Sequence, residues 1–256
     1  MKEIVLSICT ILLIVSCGDD NKIEEDVDQD QRDSIESTII DIVMATKDLD
    51  SLDMIPSLRF SSGENITYTV KQYMYQGEVK MITVEDYAND YVRGSEFYYD
   101  NGQPVFVSDY ISEFDDSSEV YTEHIIFLNN NEVYQSYVKN EFNDEPIFED
   151  TLFEKSTIDI STLDFEKPLR ALHQEGEFEM YFDEFLLIEP QSYLIVENAD
   201  SSINAAIFIK YGDELLDKMF EDPKAFEKKK IWVNHYFEEM NGIERMIYNG
   251  AKLRED

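Results

Sequence analysis

The sequence is poor in cysteine, histidine and tryptophan, and these shortages exclude several kinds of chemistry. Its two cysteines, Cys9 and Cys17, both lie near the N-terminus, so the rest of the chain offers no disulfide and no thiolate. The three histidines, His124, His173 and His235, share no metal-ligand spacing, and the sequence contains no nucleophile elbow, zinc-protease motif or phosphate-binding glycine-rich loop. We therefore expect no metal, no cofactor and no enzymatic activity.

Basic residues are also scarce. The chain has 21 Lys and Arg against 56 Asp and Glu, which gives a formal net charge of −35. Such a surface repels phosphate backbones and anionic headgroups, so a nucleic-acid partner is excluded. With so many acids, carboxylate pairs such as Glu179 and Asp183 arise by chance and do not identify a glycosidase.

The longest apolar run at the N-terminus, residues 4–15, is too short to span a bilayer, which takes roughly 20 apolar residues in a helix. Its length is typical of the apolar core of a signal peptide. The run ends in Ile14-Val15-Ser16-Cys17. This order of an aliphatic residue, two small or short residues and a cysteine resembles the lipobox of bacterial lipoproteins.

The resemblance implies that residues 1–16 are a signal peptide and that Cys17 becomes a lipidated N-terminus. An ordinary signal peptide or a short membrane anchor, with a chance cysteine, is the alternative. Residues 17–33 are rich in acids and poor in apolar side chains, so we expect a solvated tether. Asp19 and Asp20 resemble the surface-export signal of Bacteroidota lipoproteins, although a plain polar linker fits them equally. The expected location is the cell envelope, with the outer membrane and cell surface favoured over the inner membrane.

Residues 34–155 predict an N-terminal helix plus an antiparallel β-meander domain. Ile35, Ile39 and Val43 recur at helical spacing after Ser34. The pattern then changes to period two, with many tyrosines and a turn signal between each pair of strands. We expect about six strands, with the helix packed on one face of the sheet. The predicted turns lie at Gln76-Gly77, Asn101-Gly102 and Asn129-Asn130-Asn131.

Residues 156–174 are mostly polar and predict a linker, and residues 175–256 predict a second domain. Its pattern indicates three strands, a helix begun by Gly212-Asp213, and two more strands around the turn Asn241-Gly242. This order resembles the OB-fold, which implies an OB-like five-stranded barrel with one helix. A small α+β domain of another topology is the alternative. The overall fold class is thus mainly β with some α.

Trp232, Tyr236 and Tyr248 are the candidate binding residues of the second domain, because aromatic side chains form binding platforms in such barrels. Ordinary cross-strand packing explains aromatic residues in a sheet just as well. The basic cluster Lys228-Lys229-Lys230 is best explained as solubilising charge at a helix end.

Three functional hypotheses follow. The first is a membrane-anchored, non-enzymatic lipoprotein that binds a protein or glycan partner. The second is an immunity or inhibitor lipoprotein, since strong acidity complements a basic toxin or enzyme. The third and weakest is a carbohydrate-active enzyme with two carboxylates in a deep cleft.

Overall fold

The described part of the chain is mainly β-sheet with few helices, as the sequence predicts. A computed structural model describes residues 25–63, 66–115, 118–142 and 153–254. Its helices are α1 (Glu25–Lys47), α2 (Glu166–His173) and α3 (Glu214–Glu221). Its strands are β1 (Asp53–Pro56), β2 (Phe60–Ser62), β3 (Thr67–Tyr75), β4 (Glu78–Tyr87), β5 (Tyr91–Asp100), β6 (Gln103–Asp115), β7 (Ser118–Asn129), β8 (Glu132–Phe142), β9 (Glu154–Ser156), β10 (Tyr181–Ile188), β11 (Gln191–Glu197), β12 (Ile203–Phe208), β13 (Ile231–Met240) and β14 (Ile243–Leu253).

Helix α1 begins earlier than the sequence pattern predicts. The expected signal peptide, Cys17 and residues 18–24 lie outside the described residues, but residues 25–33 of the expected tether are the first turns of α1. Farther along, Ile39 and Val43 are buried on one side of the helix. None of the described helices is long and apolar enough to cross a membrane.

Strands β3 to β8 pair consecutively and antiparallel, and β9 adds to the far edge of β8. The turns predicted at Gln76-Gly77, Asn101-Gly102 and Asn129-Asn131 are confirmed. Asn101 and Gly102 have φ values of 49° and 76°. Positive φ at both central residues is what a tight type I′ hairpin requires, and Asn followed by Gly adopts it at low cost.

The two faces of this meander are covered by different elements. Successive side chains of a strand point to opposite faces, so Tyr98 and Phe97 of β5 enter different clusters. Tyr98 is buried with Ile39 and Val43 of α1, as predicted for a helix packed on one face. Phe97 belongs instead to a larger cluster that includes Leu172 of α2 and buried residues of the C-terminal strands.

The C-terminal strands form a mixed arrangement. Strands β10, β11 and β12 are consecutive and antiparallel, β13 and β14 form a hairpin, and β14 lies parallel to β12 at the pair Phe208 and Ile247. The start of β10 meets the start of β13 through a bridge between Tyr181 and Lys230. Strand β12 also pairs with β2, so one sheet continues from the C-terminal strands into the meander.

Two local sequence predictions for this part need correction. The segment predicted as a linker contains α2, whose Ala171 and Leu172 are buried. The alternating residues from Phe178 to Phe182 predict the first strand of this part, but residues 176–178 form a 3-10 turn and β10 starts at Tyr181. The predicted start of α3 is confirmed, because the Asp213 side chain accepts a hydrogen bond from the Leu216 backbone N–H at 2.9 Å.

Candidate binding surfaces

The three aromatic residues predicted to bind a ligand do not form one surface. Tyr248 is only 4% exposed, and its hydroxyl donates to Asp213 Oδ2 at 2.8 Å. Trp232 is half-buried, with Lys252 Nζ 4.9 Å from the centre of its ring. Tyr236 is 36% exposed on β13. Trp232 and Tyr236 therefore reach the surface, whereas Tyr248 belongs to the core.

The histidines are likewise dispersed. His173 is exposed at the end of α2, and His235 Nε2 lies 2.9 Å from the backbone oxygen of Ser57. Burial lowers the pKa of His235, which favours the neutral ring at physiological pH. His124 is half-buried, and within the described part of the chain its buried Nδ1 has no hydrogen-bond partner. No group of three or more metal-ligating side chains occurs among the described residues.

A groove between α2 and the sheet contains two adjoining cavities of about 270 Å³ and about 230 Å³. Tyr68, Asp86 and Lys167 line both of them. Lys167 Nζ lies 4.7 Å from the centre of the Tyr68 ring, which stacks on Phe178 at 5.3 Å between ring centres. Burial, followed by the nearby Asp86 carboxylate, raises the pKa of Tyr68. The Tyr68 hydroxyl therefore stays protonated in this groove.

The second cavity also contains a hydrogen-bonded ion pair. Arg93 donates from Nε and Nη2 to the two carboxylate oxygens of Asp109, at 3.2 and 3.0 Å. Ser95 Oγ donates to Asp109 Oδ1 at 2.6 Å. The hydrogen bond to Asp109 raises the pKa of Arg93. Asp86, Asp164 and Lys167 also line this cavity, so it holds three acidic and two basic side chains.

Hydrogen bonds and ion pairs join α2 to the residues on either side of it. Asp164 accepts hydrogen bonds from the backbone N–H groups of Glu166 and Lys167, at 3.0 and 2.9 Å. Arg170 donates to Asp164 at 3.1 Å and to both oxygens of Glu177 at 2.8 and 2.9 Å. The hydrogen bond from Arg170 lowers the pKa of Glu177. The two ends of the α2 segment are thus held together beside the groove.

A different kind of surface lies at the end of the β10–β11 hairpin. Leu186, Leu187 and Ile188 are consecutive residues of β10 and are 41%, 64% and 54% exposed. Phe185, directly before them, is instead packed against Phe220 of α3, with the rings stacked 3.8 Å apart. Exposed and contiguous large apolar side chains on a soluble surface are typical of interaction sites.

This apolar strand continues into an aromatic cluster on the same face of the sheet. Leu186 lies opposite Tyr193 in the register of β10 and β11, and Tyr193 lies opposite Phe208 of β12. The Tyr193 and Phe208 rings are 5.6 Å apart at their centres. Arg245 donates from Nη1 to the Tyr193 hydroxyl at 3.0 Å, and its guanidinium lies 5.4 Å from the Phe208 ring centre. These four residues, Leu186, Tyr193, Phe208 and Arg245, form what we call the hairpin face.

Neither the hairpin face nor the groove could be predicted from the sequence. The hairpin face corresponds in the sequence to the apolar run from Phe185 to Ile188 before Glu189-Pro190. Such a run is also typical of a buried strand. The groove residues Tyr68, Arg93 and Lys167 come from distant segments, so no local pattern connects them.

Comparison with known proteins gives no relative from which to transfer a function. No family model matches the chain, and neither a curated protein nor a solved structure matches it.

Proposed function

We propose that this chain is a lipid-anchored lipoprotein of the outer membrane or cell surface that is not an enzyme and binds a basic protein partner. The observation that carries the proposal is the exposed apolar strand Leu186 to Ile188 beside the hairpin face. Leaving three large apolar side chains in water is unfavourable by about 25 cal/mol per Å² of apolar surface, so a covering partner would stabilise this surface.

The charge around the strand favours a basic protein over a glycan. Asp183 and Glu184 precede the apolar residues, Glu189 follows them, and the whole chain has a net charge of −35. Complementary charge accelerates encounter and selects against acidic partners. A neutral glycan gains nothing from these carboxylates through long-range attraction.

An OB-like barrel for residues 175–256 is part of the proposal. Its support is the pairing order, in which β12 is next to β14 in parallel, β14 pairs with β13, and β13 returns to the start of β10. In OB-folds, ligands bind the face of the second and third strands and the first hairpin loop. The equivalent region here would be β11, β12 and the β10–β11 turn, where the hairpin face lies.

The lipid anchor rests on the lipobox and has its own test. The protein labelled in cells with a clickable fatty acid should carry the label, and Cys17→Ser should abolish it and release the protein from membranes. Cys9→Ser is the matched control and should keep the label, because this residue lies in the segment expected to be removed. Labelling of the Cys17→Ser protein would overturn the anchor.

Partner binding is tested by photo-cross-linking on intact cells. A photoreactive amino acid at position 187 should give a cross-linked species whose second component is a basic protein. The same group at Ile55, an exposed apolar residue of β1, is the control and should not give this species. Identical products from both positions, or a glycan at position 187, would overturn the proposal.

An inhibitor of a basic toxin or enzyme is a second candidate, favoured by the meander. Tyr110 and Tyr121 stack with ring centres 6.1 Å apart, and the Tyr121 hydroxyl donates to Glu123 at 3.0 Å. Burial, followed by the charge of Glu123, raises the pKa of Tyr121, so this tyrosine stays neutral beside the acids. Cross-linking from position 110 to a secreted toxin or enzyme would support this candidate, and inhibition of that enzyme by the purified protein would test it.

A further inference from the structure

We infer that β10 receives an added β-strand from the partner, and that this strand is an extended segment with apolar side chains and with Lys or Arg at both ends. The inference rests on the proposed function, since it specifies how the basic partner binds and which segment does so.

One edge of β10 is open. On one side β10 pairs with β11 up to the pair Ile188 and Gln191. On the other side, contacts with the start of β13 end near Phe182, whose backbone N–H donates to the Lys229 oxygen at 3.0 Å. From Glu184 to Ile188, no described strand pairs with this second side. A free row of backbone N–H and C=O groups is a template for another strand.

The side chains along this edge are apolar. Leu186 and Ile188 point to one face of the strand and Leu187 to the other, because side chains alternate. All three are exposed, so both faces beside the open edge are apolar. An incoming strand would place its own apolar side chains next to them on both faces, which gives selectivity beyond the backbone hydrogen bonds.

Acidic residues flank the open edge at both ends. Asp183 and Glu184 lie at one end and Glu189 at the other. Burial and the charge of Glu197 raise the pKa of Asp183, and Lys228, which is paired with Glu197, lowers it in part. A cation brought by the partner would add to Lys228 in offsetting the negative charge at this end, and would meet Glu189 at the other end.

The same charges disfavour a second copy of this chain as the added strand. Antiparallel self-pairing centred on Leu186 would place Asp183 opposite Glu189 at both ends of the contact. Like charges directly opposite each other in a sheet are destabilising. The net charge of −35 on each copy adds repulsion.

A membrane is also disfavoured as the occupant. Segments that insert into the bilayer interface combine apolar residues with Lys and Arg, which attract anionic headgroups. The residues flanking this strand are acids instead. A strand with basic ends is therefore the occupant that fits both the edge and its charge.

Synthetic peptides test the inference on the full chain purified in detergent. The probe is a short peptide of valines with two lysines at each end, labelled for fluorescence anisotropy. We expect saturable binding together with hydrogen-exchange protection of those backbone amides of residues 184–188 that point away from β11. The same peptide with glutamates at its ends should not bind, and Leu187→Ser with Ile188→Ser should weaken binding roughly tenfold or more. Ile55→Ser is the matched control and should leave binding unchanged.

Backbone methylation separates strand addition from simple hydrophobic contact. N-methyl groups at every second peptide residue block hydrogen bonds on one edge of the peptide and leave the other edge intact. Binding should be lost in one of the two methylated registers and kept in the other. Equal binding of both methylated peptides, or binding without protection of residues 184–188, would overturn strand addition.

If a second copy of the chain or a membrane covers the open edge of β10, the results will differ. Concentration-dependent dimers that Leu187→Ser abolishes would show a second copy. For a membrane, the probe is the fluorophore acrylodan attached to Leu187→Cys in a protein whose Cys9 and Cys17 are replaced by Ser. A shift of its emission toward that of a lipid environment, in the presence of vesicles and without peptide, would show that a membrane occupies this surface. Either result overturns the inference. Cross-linking of a basic protein at position 187 without strand protection would overturn the inference alone, whereas absence of any cross-linked partner would overturn the proposed function.

Discussion

Replacing Gln174 should destabilise the protein far more than its polar side chain suggests. Gln174 follows α2 with a positive φ of 52° and is buried. Its side-chain amide donates from Nε2 to the Val233 oxygen at 2.7 Å, and its Oε1 accepts from the Val233 N–H at 2.9 Å. The side chain thus pairs with both backbone groups of a strand residue and connects the end of α2 to β13.

The loss of unfolding free energy can be estimated from the backbone groups that Gln174→Ala leaves without a partner. The N–H and C=O groups of Val233 lose their partners in the protein interior, and each unsatisfied backbone group costs about 1–3 kcal/mol. Water entering the space left by the side chain would recover part of this cost. We therefore expect the free energy of unfolding to fall by about 2–5 kcal/mol.

Urea denaturation followed by circular dichroism measures this change. Gln191→Ala is the control, because the Gln191 side chain accepts one hydrogen bond, from the Tyr193 hydroxyl at 2.7 Å, in a partly exposed place. Its loss should be at most about 1 kcal/mol. If Gln174→Ala unfolds within about 0.5 kcal/mol of the wild type, the pairing with Val233 does not stabilise the fold as argued.

The stability of the variant Gln174→Glu should depend on pH more than that of the wild type. An ionised glutamate accepts the Val233 N–H but repels the Val233 carbonyl oxygen, so burial and that oxygen should raise its folded-state pKa above about 4.3, the unfolded value. The folded variant then binds more protons than the unfolded chain, so its stability relative to the wild type increases as the pH falls through the folded-state pKa. The neutral acid can donate to the carbonyl again. A difference between variant and wild type that is equal at pH 7.5 and pH 4 would contradict this explanation.

Further predictions concern positions where one side chain depends on another. Gly94 lies opposite Tyr110, and an added Cβ would overlap the Tyr110 ring, so Gly94→Ala should lower the unfolding free energy by about 1–3 kcal/mol. Gly63→Ala is its control in thermal unfolding, because, among the described residues beyond its chain neighbours, no heavy atom lies within 4 Å of the added Cβ, and equal losses would refute the overlap. Asp213→Ala removes the cap of α3 and the acceptor of the Tyr248 hydroxyl, so we expect a loss of about 2–4 kcal/mol. Tyr248→Phe should cost about 1 kcal/mol, and a double variant whose loss equals the sum of both would show that the two side chains are not coupled.

The meander could be predicted from sequence because its information is local. The turns at Gln76-Gly77, Asn101-Gly102 and Asn241-Gly242 all have positive φ at both residues. Asn and Gly adopt this conformation readily, and a turn of fixed length sets the register of the two strands beside it. Each hairpin is therefore specified by about ten consecutive residues that alternate around such a turn.

Helix α2 could not be predicted because its stability depends on distant residues. The helix is short, has Pro168 in its first turn, and buries Ala171 and Leu172 against strands far away in sequence. A helix of this length is marginal in isolation, and two turns are too few for an apolar period to stand out in the sequence. Arg170 also forms ion pairs with Asp164 and Glu177, on either side of the helix.

Exposure of the candidate site was the hardest property to predict, because it depends on where neighbouring strands end. Tyr248 is of a residue type common in binding sites, yet its strand lies between β12 and β13 and buries it. Leu187 is of a residue type common in protein cores, yet it is exposed because the contact of β10 with β13 ends near Phe182. Only pairing between distant segments decides which of these two residues meets solvent. An apolar residue that the fold leaves in water is therefore stronger evidence of a binding surface than an aromatic residue singled out by type alone.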